Sequence, residues 1–410
     1  MPPGSEEAEP MHSPEIFDCV VVGGGPAGAT AAADLARKKR EVLLLERGGR
    51  IKPCGGAIPP RLIDEFAIPP QLLVARVTQA RMVSPSYRHV DIPIDGGFVG
   101  MVDREVFDEW LRNRAVSAGA KRRTGTFTRL ERDKDGTAVV HYDVKHEDGG
   151  VERHALRART VIGADGANSQ VAKHGGIPGA ETMRKVFAYH EIVRSPAEKT
   201  EVFDPTRCDV IYDGTYSPDF YSWVFPHGKT TSIGMGTAVK GFSLRKATGE
   251  LRQKLGLEDA DTIRTEGAPL PLQPHKRWDN GKDVLLAGDA AGCVAPSSGE
   301  GIFYAMTGGR LAADAIDELC RTGNPAALKS ARRRFMRTHG PVFWILGVMQ
   351  DYWYINDNRR ERFVTICKDK DVQQLTFDAY MDKELVKAKP LAHMRIFFKN
   401  LAHLSGLARA

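Results

Sequence analysis

The sequence predicts an α/β fold in which a dinucleotide-binding domain of Rossmann type is interleaved with a mainly antiparallel β-sheet domain and followed by a helical C-terminal region. Three observations predict it. At residues 17–37, FDCVVVGGGPAGATAAADLAR, an apolar run, a glycine-rich turn and an alanine-rich stretch follow one another without a break. Residues 180–265 change texture and alternate Tyr, Phe, Trp, Val and Thr between turn signals. Two later segments, ADG (164–166) and LLAGDAAG (285–292), end short apolar runs in glycine and aspartate. Continuous apolar runs suit strands buried on both faces of a parallel sheet, and period-two alternation suits an antiparallel one.

Residues 1–15 carry Pro and Glu and lack both an apolar stretch and an Arg-rich amphipathic pattern, so a loose tail is expected rather than a signal or transit peptide. Phe17–Val22 is the first strand. The glycines at 23, 25 and 28 fit the G-x-G-x-x-G spacing: Gly23 for the tight turn, Gly25 to admit a pyrophosphate, Gly28 to let helix approach strand. That pattern alone also fits a glycine turn with no ligand. Its setting favours a dinucleotide, because a helix over Ala27–Arg37 follows and Glu46 ends the next apolar run, placed to accept hydrogen bonds from a ribose.

The loop RGGRIKPCGGAIPP (47–60) leaves the strand end where such a fold binds its ligand. Asp103 caps a helix over Arg104–Ala118 that carries Val106, Phe107, Trp110 and Leu111 on one face. Residues 124–130 and 137–143 read as a hairpin, and Thr160–Gly163 as a buried strand. The stretch 76–100 has the texture of the antiparallel sheet and is expected to join it. Val284–Ala287 is another buried strand, and PSSGEG then opens a helix whose N-terminus points back toward the strand ends, a place suited to a phosphate or an electron-rich ring edge. Residues 326–410 read as mainly helical. The expected division is therefore 16–75, 101–179 and 266–340 for the nucleotide-binding domain, 76–100 and 180–265 for the sheet domain, and 341–410 for the helical region.

A chain of 410 residues can bury a large core in two or more domains. Its 58 basic and 52 acidic residues leave +6, too little to argue for nucleic acid. The six cysteines (19, 54, 208, 293, 320, 367) lack paired or metal-like spacing, so a reducing compartment and no metal site are expected. No apolar run approaches the ~18–20 residues that cross a bilayer. Any membrane contact is then peripheral, in a cytoplasmic rather than secreted protein, and nothing in the pattern fixes an oligomeric state.

GGGPAG with Glu46, ADG at 164–166 and LLAGDAAG at 285–292 together resemble the FAD-dependent enzymes of the aromatic-hydroxylase superfamily. The resemblance implies that the first motif holds the ADP half of FAD and that Asp289 bonds the flavin-side ribose. It likewise implies Arg104 near the phosphates or ribityl chain, Phe127 beside the adenine, and Gly301 and Ile302 at the isoalloxazine. Ala27, Arg47, Cys54, Gly55, Gly56, Asp165 and Gly299 complete the cofactor-binding set that it implies.

Two further segments, PCGGAIP (53–59) and Tyr221-Ser-Trp223-Val-Phe225-Pro226 with Gly234-Met-Gly236 after it, resemble the geranylgeranyl reductases. PCGGAIP with VGMVDRE (99–105) is most similar to the chlorophyll and bacteriochlorophyll branch. This implies reduction of a geranylgeranyl chain, on the pigment or on the free diphosphate, to phytyl, with NADPH as electron source and a place at the photosynthetic membrane.

Isolated trisubstituted alkenes are not activated toward hydride. Their reduction calls for an acid that protonates the alkene while reduced flavin delivers hydride to the more substituted carbon, inside a dry pocket with π-faces against the developing charge. Tyr221, Trp223 and Phe225 alternate along one strand and are expected to line a wall, with plain sheet core as the other reading. Cys54 is the expected proton-relay residue, since an ordinary thiol keeps its proton at neutral pH; a small residue needed for loop packing reads equally well. The aromatic patch at 342–355 and the basic amphipathic stretch at 391–404 are expected to reach the bilayer, against the alternative of helices packed on the protein's own surface. Two other functions stay open: a flavin monooxygenase of the same superfamily, and a prenyl-lipid binding protein that has lost its flavin. The intact Gly23, Gly25, Gly28, Glu46 and Asp289 argue against the second.

Overall fold

The strand Met11–Val22 runs through the middle of a seven-stranded sheet in this computed structural model, which describes residues 11–373 apart from 50, 53, 95, 96, 180 and 181, with the backbone alone for 11–14. Val42–Glu46 lies parallel on one side with Lys121–Thr124 beyond it, and Val151–Gly163 lies parallel on the other. The end of Val151–Gly163 pairs with the parallel strand Val284–Leu286, and its earlier half with the antiparallel hairpin Thr126–Arg132 and Ala138–Lys145. Five parallel strands thus deliver their C-terminal ends to one edge. Phe17, Cys19, Val20 and Val21 are fully enclosed, as an unbroken apolar run covered on both faces requires. The first strand begins earlier than its apolar run: Met11 and His12 pair with His154 and Ala155, so residues 11–15 belong to the sheet rather than to a loose tail. The long partner strand offers backbone groups there that need partners.

Small residues set the helix packing. Pro26–Arg37 lies on Ile302–Thr322, where a Cβ at Gly309 would stand 2.2 Å from the Ala27 carbonyl oxygen. The helix Arg104–Ser117 starts as expected, with the Asp103 carboxylate accepting the Glu105 N–H at 2.9 Å.

The second sheet orders Thr262–Pro271, Lys185–Arg194, Thr230–Thr237, Ser222–His227, Arg207–Ile211, Gln79–Val83 and His89–Pro93. Its pairs are antiparallel except Arg207–Ile211 with Gln79–Val83. The stretch 76–100 is therefore divided: two strands join this sheet, while Val99–Val102 pairs with Ala57–Ile58 and Leu73–Val77 in a small third one. A helix, Leu244–Lys254, interrupts the β-rich span and packs Leu244, Ala247 and Leu251 against Val193, Ile233 and Met235. The boundary expected at 265/266 falls inside the strand Thr262–Pro271, and the one at 340/341 inside the 25-residue helix Lys329–Trp353.

That helix divides its apolar patch. Phe343 is buried edge-on against Tyr304 at 4.9 Å, while Trp344 is 70% exposed, and Val348 and Ile355 beyond it also face outward. The following helix, Asp357–Ile366, buries Arg360, whose guanidinium donates to the carbonyls of Tyr354 and Pro218. The basic stretch 391–404 lies outside the described residues. Among the described residues no helix is long and apolar enough to cross a membrane.

Candidate functional site

A cavity of about 530 Å³ opens between the C-terminal ends of the parallel strands and one face of the second sheet. At its polar end Gly23 turns the chain with φ +107°, and a Cβ there would stand 2.3 Å from the Ala164 oxygen. Gly25 begins the helix Pro26–Arg37 without a side-chain cap, and nothing lies within 4 Å of where its Cβ would be. Free N–H groups and a partial positive charge therefore face an open cradle that suits a diphosphate. Ala27 lines the cavity beside them. Gly28 lies behind it, where a Cβ would come within 1.9 Å of the Gly23 oxygen, so its part is the close approach of helix to strand.

Glu46 lines the cavity at the end of its strand. Its Oε2 accepts the Gly24 N–H at 2.9 Å and its Oε1 lies 3.7 Å from Arg112. Burial raises its carboxyl above the usual range, and Arg112 and that N–H work against the rise. Arg47 is exposed at the rim, and Phe127 sits opposite, edge-on to His174 at 6.0 Å. Asp165 also lines the cavity, yet both its carboxylate oxygens are engaged within the chain, by Ser169 Oγ and by the N–H groups of Gln170 and Val171.

Farther in, Asp289 sits on the buried turn after Val284–Leu286 and pairs with Lys52, which reaches over from the loop that carries Cys54. Arg104 is buried and grips Asp108 through two hydrogen bonds of 2.9 and 2.7 Å. Burial opposes its charge, but Asp108 and then Cys54 outweigh it and hold the guanidinium above its ordinary value. Cys54 is thus a neighbour of a fixed cation, half-buried on the cavity wall with Gly55. Gly56 lies behind the cavity at φ +67°, its carbonyl accepting the Val102 N–H at 2.9 Å. Against it packs His227, whose ring burial pushes down to about 4.

The helix Ile302–Thr322 starts at Gly301 with no side-chain cap, and Gly299, Gly301 and Ile302 all line the cavity. The turn before it is held from behind. Tyr221 Oη donates to the Ser298 carbonyl at 2.5 Å, Tyr354 Oη to the Ser297 carbonyl at 3.1 Å, and the Ser297 N–H to Gln350 Oε1 at 3.1 Å. Burial raises both tyrosines, which keeps their hydroxyls protonated as donors.

Tyr221, Trp223 and Phe225 do line one wall, their rings 6.0 and 6.3 Å apart in sequence. The Phe225 ring leaves no room beside Gly55, where a Cβ would approach it to 2.8 Å. Gly234 and Gly236 are gaps in the neighbouring strand: a Cβ would come within 2.5 Å of both His190 and Trp223 at the first, and 2.9 Å of Phe220 at the second. His190 lines the cavity too and is absent from the set read in the sequence. Its partner Glu266 is 76 positions away, and alternation marks a strand without giving its register. Asp108 left a signal that was there to use, the i, i+4 spacing from Arg104 on a helix. The whole is a polar cradle that runs into an aromatic chamber.

Comparison with known proteins agrees with this layout. A model of FAD-binding domains matches residues 74–337, and one of NAD(P)-binding Rossmann-like domains matches 21–67. A geranylgeranyl diphosphate reductase of Rhodobacter capsulatus is 60% identical over 95% of this chain and 98% of its own length. The chain belongs to the geranylgeranyl reductase family. Another such relative, from Synechocystis, shares 38% identity with this reductase over 95% of the chain and 98% of its own. Among solved structures, a geranylgeranyl bacteriochlorophyll reductase-like protein of Thermoplasma acidophilum superposes with a TM-score of 0.78 at 21% identity, covering 92% of this chain and 99% of its own, a likeness of fold. The reductase is a flavin-dependent oxidoreductase acting on carbon–carbon double bonds, and the open cradle at Gly25 with Glu46 and Asp289 along the same cavity fits its FAD.

Proposed function

We propose that this reductase saturates the isolated double bonds of a geranylgeranyl chain, carried by chlorophyll or bacteriochlorophyll or by free diphosphate, to give phytyl, with NADPH as the electron source. One observation carries the reading: the cradle for FAD and a wall of Tyr221, Trp223 and Phe225 belong to a single cavity. The relatives named geranylgeranyl diphosphate reductase support it.

When bound, FAD supplies two-electron hydride chemistry. The first turn of Pro26–Arg37, with Gly23, Gly25 and Ala27, takes the diphosphate, Glu46 and Arg47 the adenosine ribose side, and Phe127 the adenine. Asp289, Arg104, Gly299, Gly301 and Ile302 take the ribityl and ring end. The aromatic wall excludes water and offers π-faces to a carbon on which positive charge develops. Cys54 holds the proton at Sγ, next to Arg104. NADPH would supply the two electrons that FAD needs for each double bond.

The test is an anaerobic incubation of the purified holoenzyme with NADPH and either geranylgeranylated pigment or geranylgeranyl diphosphate. Products gaining two hydrogens per step are expected, and whichever substrate reacts identifies the carrier. Turnover only with oxygen, or a product that has gained oxygen, would install the monooxygenase reading; a colourless protein that binds prenyl lipid without turnover would install the carrier reading.

A prenyl chain on a lipid-embedded head group has to be collected at a membrane surface. The exposed Trp344, Val348 and Ile355 supply an apolar face for a peripheral, cytoplasmic-side contact with the photosynthetic membrane. Replacing Trp344 and Val348 with Glu is expected to lower the fraction that floats with anionic liposomes by about tenfold. Equal flotation would leave that face without a lipid role.

A further inference from the structure

From Trp223 in the aromatic wall a line of buried polar contacts runs through Ser232 to His190 and Glu266. His190, 2% exposed, stands on Lys185–Arg194 between the strands Thr230–Thr237 and Thr262–Pro271. Its Nε2 is 2.6 Å from Glu266 Oε2, and its Nδ1 is 2.9 Å from Ser232 Oγ. The same Oγ is 3.0 Å from Trp223 Nε1. An indole N–H only donates, so Ser232 Oγ accepts from Trp223. Glu266, with Arg264 Nε 3.0 Å from its other oxygen, accepts as a carboxylate, so Nε2 carries the imidazole hydrogen. Nδ1 is then left as an acceptor and takes the Ser232 hydroxyl hydrogen. The polar hydrogens of Trp223, Ser232 and His190 then each have a partner, which the other neutral tautomer does not achieve.

We propose that His190 is a positioning residue for alkene reduction: with Glu266 it fixes the direction of the Ser232 hydroxyl, and through it the angle at which Trp223 presents its indole to the cavity. This rests on the function proposed above. In that reaction the alkene π pair would take the proton of Cys54 Sγ at the less substituted carbon, breaking the S–H bond and leaving a thiolate that water reprotonates. The more substituted carbon would accept hydride from reduced flavin. Two C–H bonds form, the π bond is lost, and the flavin is oxidised by two electrons. Positive charge gathers on the carbon that awaits hydride. The face of an indole attracts that charge and its edge repels it, so the ring's angle matters to this step alone. Gly234 belongs to the device, since a Cβ there would stand 2.5 Å from His190 Cβ and from Trp223 Cζ2.

The experiment compares Ser232→Ala, His190→Phe and Ser232→Thr with wild type as FAD-loaded enzymes. Flavin reduction by NADPH and flavin reoxidation by a geranylgeranyl substrate are followed separately without oxygen. Ser232→Ala and His190→Phe are expected to slow reoxidation ~10- to 100-fold while flavin content and reduction by NADPH stay within about twofold of wild type. Ser232→Thr, which keeps the hydroxyl, recovers most of the loss. Near-ultraviolet circular dichroism of the apoproteins should show a weakened indole signal in the first two variants and not in the third. Reoxidation of Ser232→Ala at the wild-type rate, or a parallel fall of flavin content and both half-reactions, overturns the proposal; the latter marks a role in sheet stability. If wild type itself is not reoxidised by prenyl alkenes, the function proposed above fails and takes this inference with it.

Discussion

Gly28→Ala is expected to yield a colourless protein, with bound flavin per chain after desalting at least tenfold below wild type and a lower melting temperature. The added Cβ would stand 1.9 Å from the Gly23 carbonyl oxygen and 3.1 Å from Ala164 Cβ. The nearest obstacle is backbone, not the end of a flexible side chain, so relief requires the helix Pro26–Arg37 to lift from its strand. Overpacking of this kind costs ~1–3 kcal/mol or more. The displaced helix also carries its free N–H groups away from the diphosphate. Gly25→Ala is the informative control. Nothing lies within 4 Å of its Cβ, so the apoprotein should melt like wild type while the methyl group intrudes on the cradle and weakens FAD binding. Wild-type flavin content in Gly28→Ala would show that helix and strand do not approach as closely as described.

Cys54→Ala is expected to reduce alkene saturation by ~100-fold or more, the usual scale for loss of a positioned acid, while FAD content and flavin reduction by NADPH persist. Tyr221 and Cys54 both line the cavity and both carry a hydrogen. The Tyr221 hydroxyl spends its hydrogen on the Ser298 carbonyl at 2.5 Å, and burial, then Tyr354 and Cys54, push its ionisation upward. Its work is to hold the turn. Cys54 accepts the Gly56 N–H at 3.4 Å and neighbours Arg104, which leaves its own hydrogen free for transfer and a cation close by to steady the thiolate left behind. Tyr221→Phe should therefore cost less than Cys54→Ala. Turnover of Cys54→Ala within twofold of wild type would remove the thiol from the reaction and leave it a packing residue on the loop.

The parts of this enzyme that were legible in its sequence are those whose cause is local. Gly23, Gly25 and Gly28 are spaced by the demands of one turn and one helix start, Asp103 caps within two residues, and Tyr221, Trp223 and Phe225 share a face because a strand has period two. What stayed hidden depends on partners far along the chain. His190 meets Glu266 across 76 positions, Lys52 meets Asp289 across 237, and Tyr354 meets Ser297 across 57. Periodicity announces that a strand or helix exists and is silent on its neighbour. The helix Leu244–Lys254 was missed for a different reason: its buried Leu244, Ala247 and Leu251 are few, and they sit in a stretch whose flanks alternate like strands. The early start of the first strand escaped because Met11–Ile16 carries little apolar signal and is recruited by the length of the strand beside it.

The helix Lys329–Trp353 grips Ser297 with Gln350 on one flank and shows Trp344 and Val348 to the outside on the other. Rolling such a rod would break or carry with it the Ser297–Gln350 hydrogen bond. Through that contact one helix joins the outer apolar flank, the surface proposed for the membrane, to the bend that precedes Gly299.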